Sequence, residues 1–381
     1  MTSIQNLTRR EIRHFVPYLP GKPIEEVQRE LGLKKIVKLA SNENAIGPSR
    51  QAVAALRQKA GLIFRYPEGP GTLLRLALAK KLKRYPAEII LGAGSDEIIE
   101  LLGKTFLNPQ DEIVVSEHAF IRYKMAADLM GAKTVSVKMQ NFKHDALAMA
   151  RAVTRRTKII FIANPNNPTG TYLTKKEVAE FLAALKKQCA KVRPPAGAPF
   201  IVFDEAYFEF AQFLEKDYPD TLKIDAQGFN LITLRTFSKI YALAGLRVGY
   251  GIARAEIVTE LDRVRPPFNV SSLAQAAAIA ALEDRVHVQK SAKVVQQGLK
   301  FLRENLQRLG FKTIPSAGNF LLVEVSPHLG KSLFKTLLKK GVIARAMDEY
   351  ELPYHLRVTV GMPAENKFFI EKFQEVVQPG F

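Results

Sequence analysis

Short apolar segments alternate with amphipathic helical stretches along the chain from residue 88 onward. Each apolar segment is bounded by turn residues, and this alternation is typical of a largely parallel β-sheet that is buried on both faces. The predicted strands are EIILG (88–92), DEIVVS (111–116), KTVSV (133–137), KIIFIA (158–163), FIVF (200–203), NLITL (230–234) and RVGYGIA (247–253). The pattern therefore predicts an α/β fold.

The pattern changes after RPPFN (265–269), where two prolines predict a hinge. Beyond it the periodicity predicts a smaller α+β domain, with a helical stretch (271–309), a strand (NFLLVEV, 319–325), a helix (330–340) and two short strands (342–346 and 356–360). We expect an N-terminal arm (1–40), a large domain (41–265) and a small C-terminal domain (266–381) to which the arm contributes. The segment KKQCAKVRPPAGAP (186–199) is expected to be a surface loop, because it contains several Pro and Gly residues.

The formal net charge of +19 raises the question of nucleic-acid binding, because basic proteins displace counterions from phosphates. However, the Lys and Arg residues mostly occur as scattered pairs at helix-like spacing, and the densest run, KKLKR (80–84), lacks interleaved aromatic residues. No helix-turn-helix or zinc-finger pattern accompanies this run. We therefore expect solvated helix faces, no nucleic-acid partner, and a general preference for anionic small molecules.

Cysteine content and hydropathy bear on the compartment. The single cysteine, Cys189, excludes an intrachain disulfide and a multi-cysteine zinc site, and no metal is expected. No apolar run is long enough to span a bilayer, and the first residues lack the apolar core of a signal peptide. The sequence therefore predicts a cytoplasmic protein without a membrane partner.

Four of the predicted strands end in unusual polar loops, and ligands of parallel sheets bind beyond these strand ends. The loops are GAGSDE (92–97), NPNNPTG (164–170), DEAY (204–207) and TFSK (236–239). Each has a structural alternative when taken alone. In these alternatives, Ser95 is a helix N-cap and the asparagines are turn residues. Asp204 is likewise a cap, and Lys239 is a solvated lysine.

Taken together, the four loops have one economical explanation, which is a cofactor with a phosphate, an aldehyde and a basic ring nitrogen. Pyridoxal phosphate (PLP) needs a lysine amine for its aldehyde and an acid that keeps its pyridine nitrogen protonated. Its phosphate needs an anion site, and backbone N–H groups at the start of a helix form one. Lys239, Asp204 and the GAGSDE loop are the candidates for these three tasks.

The same loops, with SNENAIGPS (41–49), RYPEG (65–69) and TFSKIYALAGLRVGY (236–250), resemble the motifs of the fold-type-I PLP aminotransferases, and of their histidinol-phosphate branch in particular. The resemblance extends from about residue 36 to about residue 361. It implies a large domain with a mostly parallel seven-stranded sheet between helices, and a smaller C-terminal α+β domain. Ala45 stands where the family usually has proline, and MDEYELPYH (347–355) lacks the family's usual glycine.

The resemblance implies a catalytic and a cofactor-binding set. Lys239 would bind the aldehyde and later carry the substrate proton, with its pKa lowered by cations such as Arg247. Asp204 would hold the pyridinium nitrogen. The other implied contacts are Tyr207 and Asn167 to the ring hydroxyl, Phe120 stacked on the ring, and Thr236, Ser238, Arg247, Gly94 and Ser95 around the phosphate. Tyr66 would reach this phosphate from the partner subunit of a homodimer.

The resemblance also implies a substrate-binding set. Arg357 would bind a substrate α-carboxylate through a bidentate pair, and Arg345 would bind a substrate phosphate. Asn44 and Asn319 are expected to line the same pocket. The unusual segment 347–355 shapes this pocket, so it bears on substrate choice more than on cofactor chemistry.

The leading interpretation is transamination between histidinol phosphate and 2-oxoglutarate, which gives imidazole acetol phosphate and glutamate. An aromatic amino-acid aminotransferase and a threonine-phosphate decarboxylase are the alternatives, and Arg345 counts against the first of them. A regulator built on the same fold would need an added DNA-binding domain, for which the segment before residue 40 leaves no room. A nicotinamide dehydrogenase is disfavoured because no GxGxxG motif follows a first strand.

Overall fold

The computed structural model describes residues 4–13, 15, 17, 21–195 and 197–378, so part of the predicted arm lies outside the described residues. The strands are β1 (Val37–Lys38), β2 (Ile89–Gly92), β3 (Glu112–Ser116), β4 (Lys133–Val137), β5 (Thr157–Ala163), β6 (Phe200–Asp204), β7 (Leu231–Thr236), β8 (Gly249–Ile252), β9 (Lys312–Ile314), β10 (Phe320–Glu324), β11 (Val342–Ile343), β12 (Arg345–Met347) and β13 (Leu352–Thr359).

The helices are α1 (Ile4–Leu7), α2 (Ile24–Leu31), α3 (Arg50–Lys59), α4 (Thr72–Leu82), α5 (Ser95–Phe106), α6 (Ile121–Leu129), α7 (Ala146–Arg151), α8 (Lys175–Val192), α9 (Phe208–Leu214), α10 (Ala255–Asp262), α11 (Ser272–Glu283), α12 (Arg285–Arg308), α13 (Gly330–Lys339) and α14 (Pro363–Val377). Among the described residues, none of these helices is long and apolar enough to cross a membrane.

Seven strands form the central sheet, in the order β2-β8-β7-β6-β5-β3-β4. β8 is antiparallel to both of its neighbours, and every other pair in this sheet is parallel. Successive residues of β5 enter different cores, since Ile159 and Phe161 pack on one face while Ile160 and Ile162 pack on the other. This burial on both faces explains the continuous apolar runs, and the predicted α/β fold with a mostly parallel sheet is confirmed.

A second sheet, in the order β12-β13-β10-β9, is antiparallel throughout and lies in the C-terminal part of the chain. β1 pairs in parallel with β11, so the segment just before residue 41 joins this C-terminal part. α11 packs against α3 and α4. The domain boundaries expected from the sequence stay a prediction.

The structure corrects three boundaries. Residues 186–192 belong to α8 rather than to a loop, because their Lys, Gln and Ala residues favour helix. The helix ends only at Arg193, which adopts a positive φ of 48°. The stretch predicted over 271–309 is two helices, since the Asp284 side chain accepts from the His287 N–H and starts α12. The strand predicted over 342–346 is likewise two strands, β11 and β12.

Candidate active site

A cavity of about 280 Å³ lies beyond the carboxyl ends of β5, β6 and β7 and beside the first turn of α5. Twelve of the residues predicted for the site line this cavity, namely Gly94, Ser95, Phe120, Asn167, Asp204, Tyr207, Thr236, Ser238, Lys239, Arg247, Arg345 and Arg357. They come from distant parts of the sequence. The ends of the parallel strands bring most of them together, and Arg345 and Arg357 are added from the antiparallel sheet.

Lys239 follows β7, and its amine donates to the Ser41 carbonyl oxygen over 3.3 Å. Burial lowers the pKa of this amine to about 8, and the charges of Arg357 and Arg247 act in the same direction. The sequence pointed to Arg247, but burial is the largest cause and Arg357 is the stronger of the two cations. Roughly a tenth of this lysine is therefore neutral and nucleophilic at pH 7, far more than for an ordinary lysine with a pKa of 10.5.

Asp204 ends β6 and is only 6% exposed. Its carboxylate accepts from the Tyr123 hydroxyl over 2.8 Å and from the Ala206 N–H over 3.1 Å. Among the described residues no cation forms an ion pair with it, and burial raises its pKa to about 6 although the Tyr123 bond opposes this. A buried carboxylate of this kind is stabilised by a cationic ligand in the cavity.

An anion cradle forms where Gly94 meets Arg247. Gly94, with φ of +82°, is the N-cap of α5, so Ser95 is the first helical residue rather than the cap. A Cβ on Gly94 would lie 2.5 Å from Nη2 of Arg247 and would push the guanidinium away, and the positive φ of this residue also favours glycine. Nη1 of Arg247 also donates to the Ser238 hydroxyl over 3.4 Å. A guanidinium and helix-start N–H groups thus surround one position.

Arg357 lies on β13 and is 6% exposed. Its Nη1 donates to Oδ1 of Asn167 and its Nη2 to the Ala40 carbonyl. Its Nε is buried without a hydrogen-bond partner among the described residues. Because its partners are neutral, Arg357 keeps an uncompensated positive charge at the cavity wall.

Arg345 lies directly opposite Arg357 in the antiparallel pairing of β12 with β13. Like charges in this position destabilise a sheet, which favours an anion between them. Arg345 forms an ion pair with Glu349, whose Oε1 accepts from Nε over 3.2 Å and from Nη2. The two arginines therefore differ, since Arg345 is paired with a carboxylate and Arg357 is not.

Three predicted site residues do not line the cavity. Asn44 donates to the Ile240 carbonyl over 2.8 Å and to the Ser291 hydroxyl over 2.9 Å. Asn319 is fully buried and donates to the carbonyls of Asn42 and Glu43. Both hold the backbone of the 42–46 segment rather than presenting a side chain to a ligand. Tyr66 is 83% exposed and stacks on Phe268, with ring centroids 4.8 Å apart.

Two residues of the site escaped sequence reasoning. Tyr123 on α6 binds Asp204, and its ring stacks on Phe161 at 4.7 Å. Asn42 donates to the Tyr207 hydroxyl over 2.8 Å and bonds Thr359. In the sequence Tyr123 looks like an ordinary core residue of a helix, so nothing there indicated a role in the site. Asn42 lies inside the SNEN motif, which was the available signal.

Comparison with known proteins agrees with this geometry. The family model described as aminotransferase class I and II matches residues 34–373, and the chain therefore belongs to that family, which confirms the predicted resemblance. A histidinol-phosphate aminotransferase of Moorella thermoacetica is 46% identical over 97% of this chain and 92% of its own length. One of Caldicellulosiruptor saccharolyticus is 42% identical over 97% and 99%.

Solved structures show the same fold. A histidinol-phosphate aminotransferase from Sinorhizobium meliloti, crystallised in complex with pyridoxal-5'-phosphate, superposes with a TM-score of 0.85. It is 25% identical, and the alignment covers 98% of both chains. Aspartate aminotransferase from Thermus thermophilus with maleate, at 23% identity, has a TM-score of 0.81 over 97% of this chain and 99% of its own.

Proposed function

We propose that this chain binds PLP and transfers the amino group of histidinol phosphate to 2-oxoglutarate, giving imidazole acetol phosphate and L-glutamate in histidine biosynthesis. The observation that carries the proposal is a single cavity that holds a low-pKa lysine, a buried carboxylate and two adjacent arginines. The names of the relatives at 46% and 42% identity support the choice of substrate. A cytoplasmic location stays a prediction of the sequence.

The residues of the cavity fit PLP. Asp204 offers a buried negative charge that a pyridinium nitrogen would neutralise, and Lys239 offers a neutral amine for the aldehyde. The cradle of Gly94, Ser95 and Arg247 would hold the phosphate. Five further residues complete the wall around the proposed cofactor, namely Thr236, Ser238, Tyr207, Asn167 and Phe120. When bound, PLP supplies an electron sink for the carbanion that forms at the substrate Cα.

The protein's own residues would then handle the proton and the charges. Nζ of Lys239 would take the proton from the substrate Cα and would later give a proton back to complete the transfer. The amine must be neutral to take the first proton. Asp204 would keep the ring nitrogen protonated, and Tyr123 would fix the orientation of that carboxylate. Burial of Asp204 strengthens its attraction for the ring cation.

The two arginines suit a site that accepts two different substrates in turn. Glutamate carries an α-carboxylate, which the bidentate guanidinium of Arg357 would bind. Histidinol phosphate lacks that carboxylate and carries a phosphate instead, which Arg345 would bind. Because Arg345 and Arg357 are cross-strand neighbours, both anions would occupy one region of the cavity.

A panel of amino donors with 2-oxoglutarate tests the substrate. We expect kcat/KM for histidinol phosphate to exceed that for phenylalanine at least about tenfold, because its phosphate would bind Arg345 and phenylalanine has no phosphate for that arginine. Threonine phosphate should give a keto acid only slowly and no decarboxylated amine. A preference for phenylalanine would favour an aromatic aminotransferase, and release of the amine from threonine phosphate would favour the decarboxylase.

We also propose a homodimer, because several large apolar side chains close to Tyr66 in the sequence are exposed. They are Leu62, Ile63, Phe64, Leu73 and Leu76. Exposed apolar surface of this kind is typical of a protein interface. A second copy seated on it would receive Tyr66 at its own phosphate cradle, as the family resemblance implies.

Replacing Tyr66 with phenylalanine is therefore expected to weaken PLP binding about tenfold, since one hydrogen bond to a charged phosphate is lost. Titration of the cofactor-free protein with PLP measures this. Tyr354→Phe is the matched control, because Tyr354 is also exposed but lies on β13. Equal PLP affinity of both variants, or a monomer in sedimentation, would contradict the dimeric site.

A further inference from the structure

A buried cluster of charges lies behind the active-site cavity, on residues that the proposed chemistry does not use. Nε and Nη2 of Arg235 donate to Oε2 of Glu205 over 2.9 and 2.7 Å. Nη2 also donates to Oδ1 of Asp220 over 2.9 Å. Arg235 is 3% exposed and Glu205 is 0% exposed. The guanidinium carbon of Arg235 lies 3.3 Å from the ring centroid of Phe208.

Each member of this pair is the chain neighbour of a cavity residue. Glu205 directly follows Asp204 at the end of β6, and Arg235 directly precedes Thr236 at the end of β7. Successive side chains of a strand point to opposite faces. Asp204 and Thr236 line the active-site cavity, whereas Arg235 and Asp220 border a separate cavity. The ion pair is therefore on the opposite face of the same two strand ends.

The pair joins β6 to β7 at the last step of their ladder. Asp204 is in register with Leu234, and the Glu205 N–H donates to the Leu234 carbonyl over 2.8 Å. β6 ends at Asp204, so few backbone hydrogen bonds join the ends of β6 and β7 beyond this point. The two hydrogen bonds from Arg235 to Oε2 of Glu205 add a second connection just where Asp204 and the TFSK loop diverge.

The same arginine reaches the third strand of this region. Arg235 is in register with Tyr250 of β8, and Thr236 is in register with Gly249. A Cβ on Gly249 would lie 2.5 Å from the Ser95 nitrogen, so β8 packs directly against the phosphate cradle. Arg235 thus lies at the centre of the strands that carry Asp204, Lys239 and the cradle.

We propose that the Glu205–Arg235 pair is a positioning device that sets the distance between Asp204 and the segment 236–239. This rests on the proposed function, since it assumes that Asp204 and this segment hold opposite ends of PLP. Stability alone does not explain the pair, because apolar residues of similar volume often replace a buried ion pair without loss of stability. Two charge-assisted hydrogen bonds from Arg235 to one carboxylate oxygen of Glu205, with a third to Asp220, do fix how the two strand ends lie against each other.

The test replaces Glu205 with glutamine and measures PLP affinity, the pH midpoint of the bound cofactor's absorbance change, and thermal stability. Glu112→Gln is the matched control. Glu112 is a buried carboxylate of the same sheet, bound to Thr154, but it lies at the amino end of β3. We expect Glu205→Gln to weaken PLP binding at least about tenfold and to move the absorbance midpoint, because breaking one side of a buried pair leaves an uncompensated charge. The control should lose stability only.

A double variant, Glu205→Leu with Arg235→Met, separates positioning from stability. We expect it to unfold at a higher temperature than Glu205→Gln, because no guanidinium is left unpaired, and still to bind PLP more weakly than the wild type and turn over more slowly with little change in substrate KM. Wild-type PLP affinity in this double variant, or equal PLP affinity in Glu205→Gln and Glu112→Gln, would overturn the positioning role. If Glu205→Gln does not fold, Asp220→Asn weakens the contacts of Arg235 more mildly. It should lower PLP affinity and move the absorbance midpoint in the same direction, by a smaller amount. A wild-type chain that takes up no PLP would overturn the proposed function together with this inference.

Discussion

Replacing Lys239 with alanine is expected to abolish transamination, with a fall in kcat on the order of 10⁴-fold or more. The variant loses both the amine that attaches the cofactor and the base that carries the Cα proton, and no second amine is seen in the cavity among the described residues. Borohydride reduction of the wild-type protein with PLP should attach the cofactor covalently at Lys239. Steady-state kinetics and mass spectrometry of the reduced protein measure the two effects.

Lys81 provides a matched control for this experiment. Burial lowers the pKa of Lys81 as well, but its amine donates to the Leu282 carbonyl and borders a different cavity. Lys81→Ala should therefore keep activity within a few-fold and keep the covalent label. A label that survives Lys239→Ala would show that another amine holds the cofactor, and the proposed chemistry would then be wrong.

Replacing Asp204 with asparagine is expected to lower kcat by about 10²- to 10³-fold in the PLP-loaded protein. The change removes the charge proposed to hold the ring nitrogen protonated, and a fall of this size corresponds to about 3–4 kcal/mol of activation free energy. Tyr123→Phe should cause a smaller loss, because the carboxylate keeps its charge and the Ala206 N–H. Rapid-mixing kinetics with glutamate measure the loss of the Cα proton, which is the step that depends on the protonated pyridine ring of PLP.

Without the cofactor, the same Asp204→Asn change should stabilise the protein above pH 6. The pKa of Asp204 is raised to about 6 in the folded chain, against an ordinary value of 3.8, so the folded state holds its proton more tightly than the unfolded state. The resulting penalty is complete above pH 6, shrinks as the pH falls, and is absent below about pH 4. Thermal unfolding of both cofactor-free proteins from pH 4 to pH 8 measures this. Equal unfolding temperatures at pH 8 would contradict an unpaired carboxylate.

The strands and the loops that follow them could be predicted because their physical causes are local. Burial on both faces requires runs such as KIIFIA, and turns require Asn, Pro and Gly, so the sequence located Asp204 and Lys239 at strand ends. The reversed direction of β8 has no such local cause. It depends on which neighbours β8 pairs with, and both a parallel and an antiparallel strand can show the same apolar run.

The contacts of two predicted pocket residues could not be read from the sequence. Asn44 and Asn319 were expected to line the substrate pocket, and in the structure each donates to backbone carbonyls of a neighbouring segment, so their role toward a ligand stays a prediction. An asparagine carries the same donors for either task, and only the tertiary structure decides between them. The sequence did not predict the ion pair of Glu205 with Arg235. Each residue stands beside a functional motif, and nothing in the sequence shows that the two meet across the sheet.

The pairing of β1 with β11 has a consequence for the order in which the site is assembled. Val37 is in register with Val342, and the carbonyls of Ala40 and Ser41 meet Arg357 and Lys239. The pairing of Val37 with Val342 and the contact of Ala40 with Arg357 join residues more than three hundred positions apart, and Ser41 and Lys239 are 198 positions apart. Contacts of such high sequence separation form late in folding. During synthesis the strands of the central sheet emerge well before β13 does. The residues proposed to hold the cofactor are thus translated before the two arginines proposed to bind the substrate, and the segment around Ala40 meets Arg357 only after most of the chain has been made.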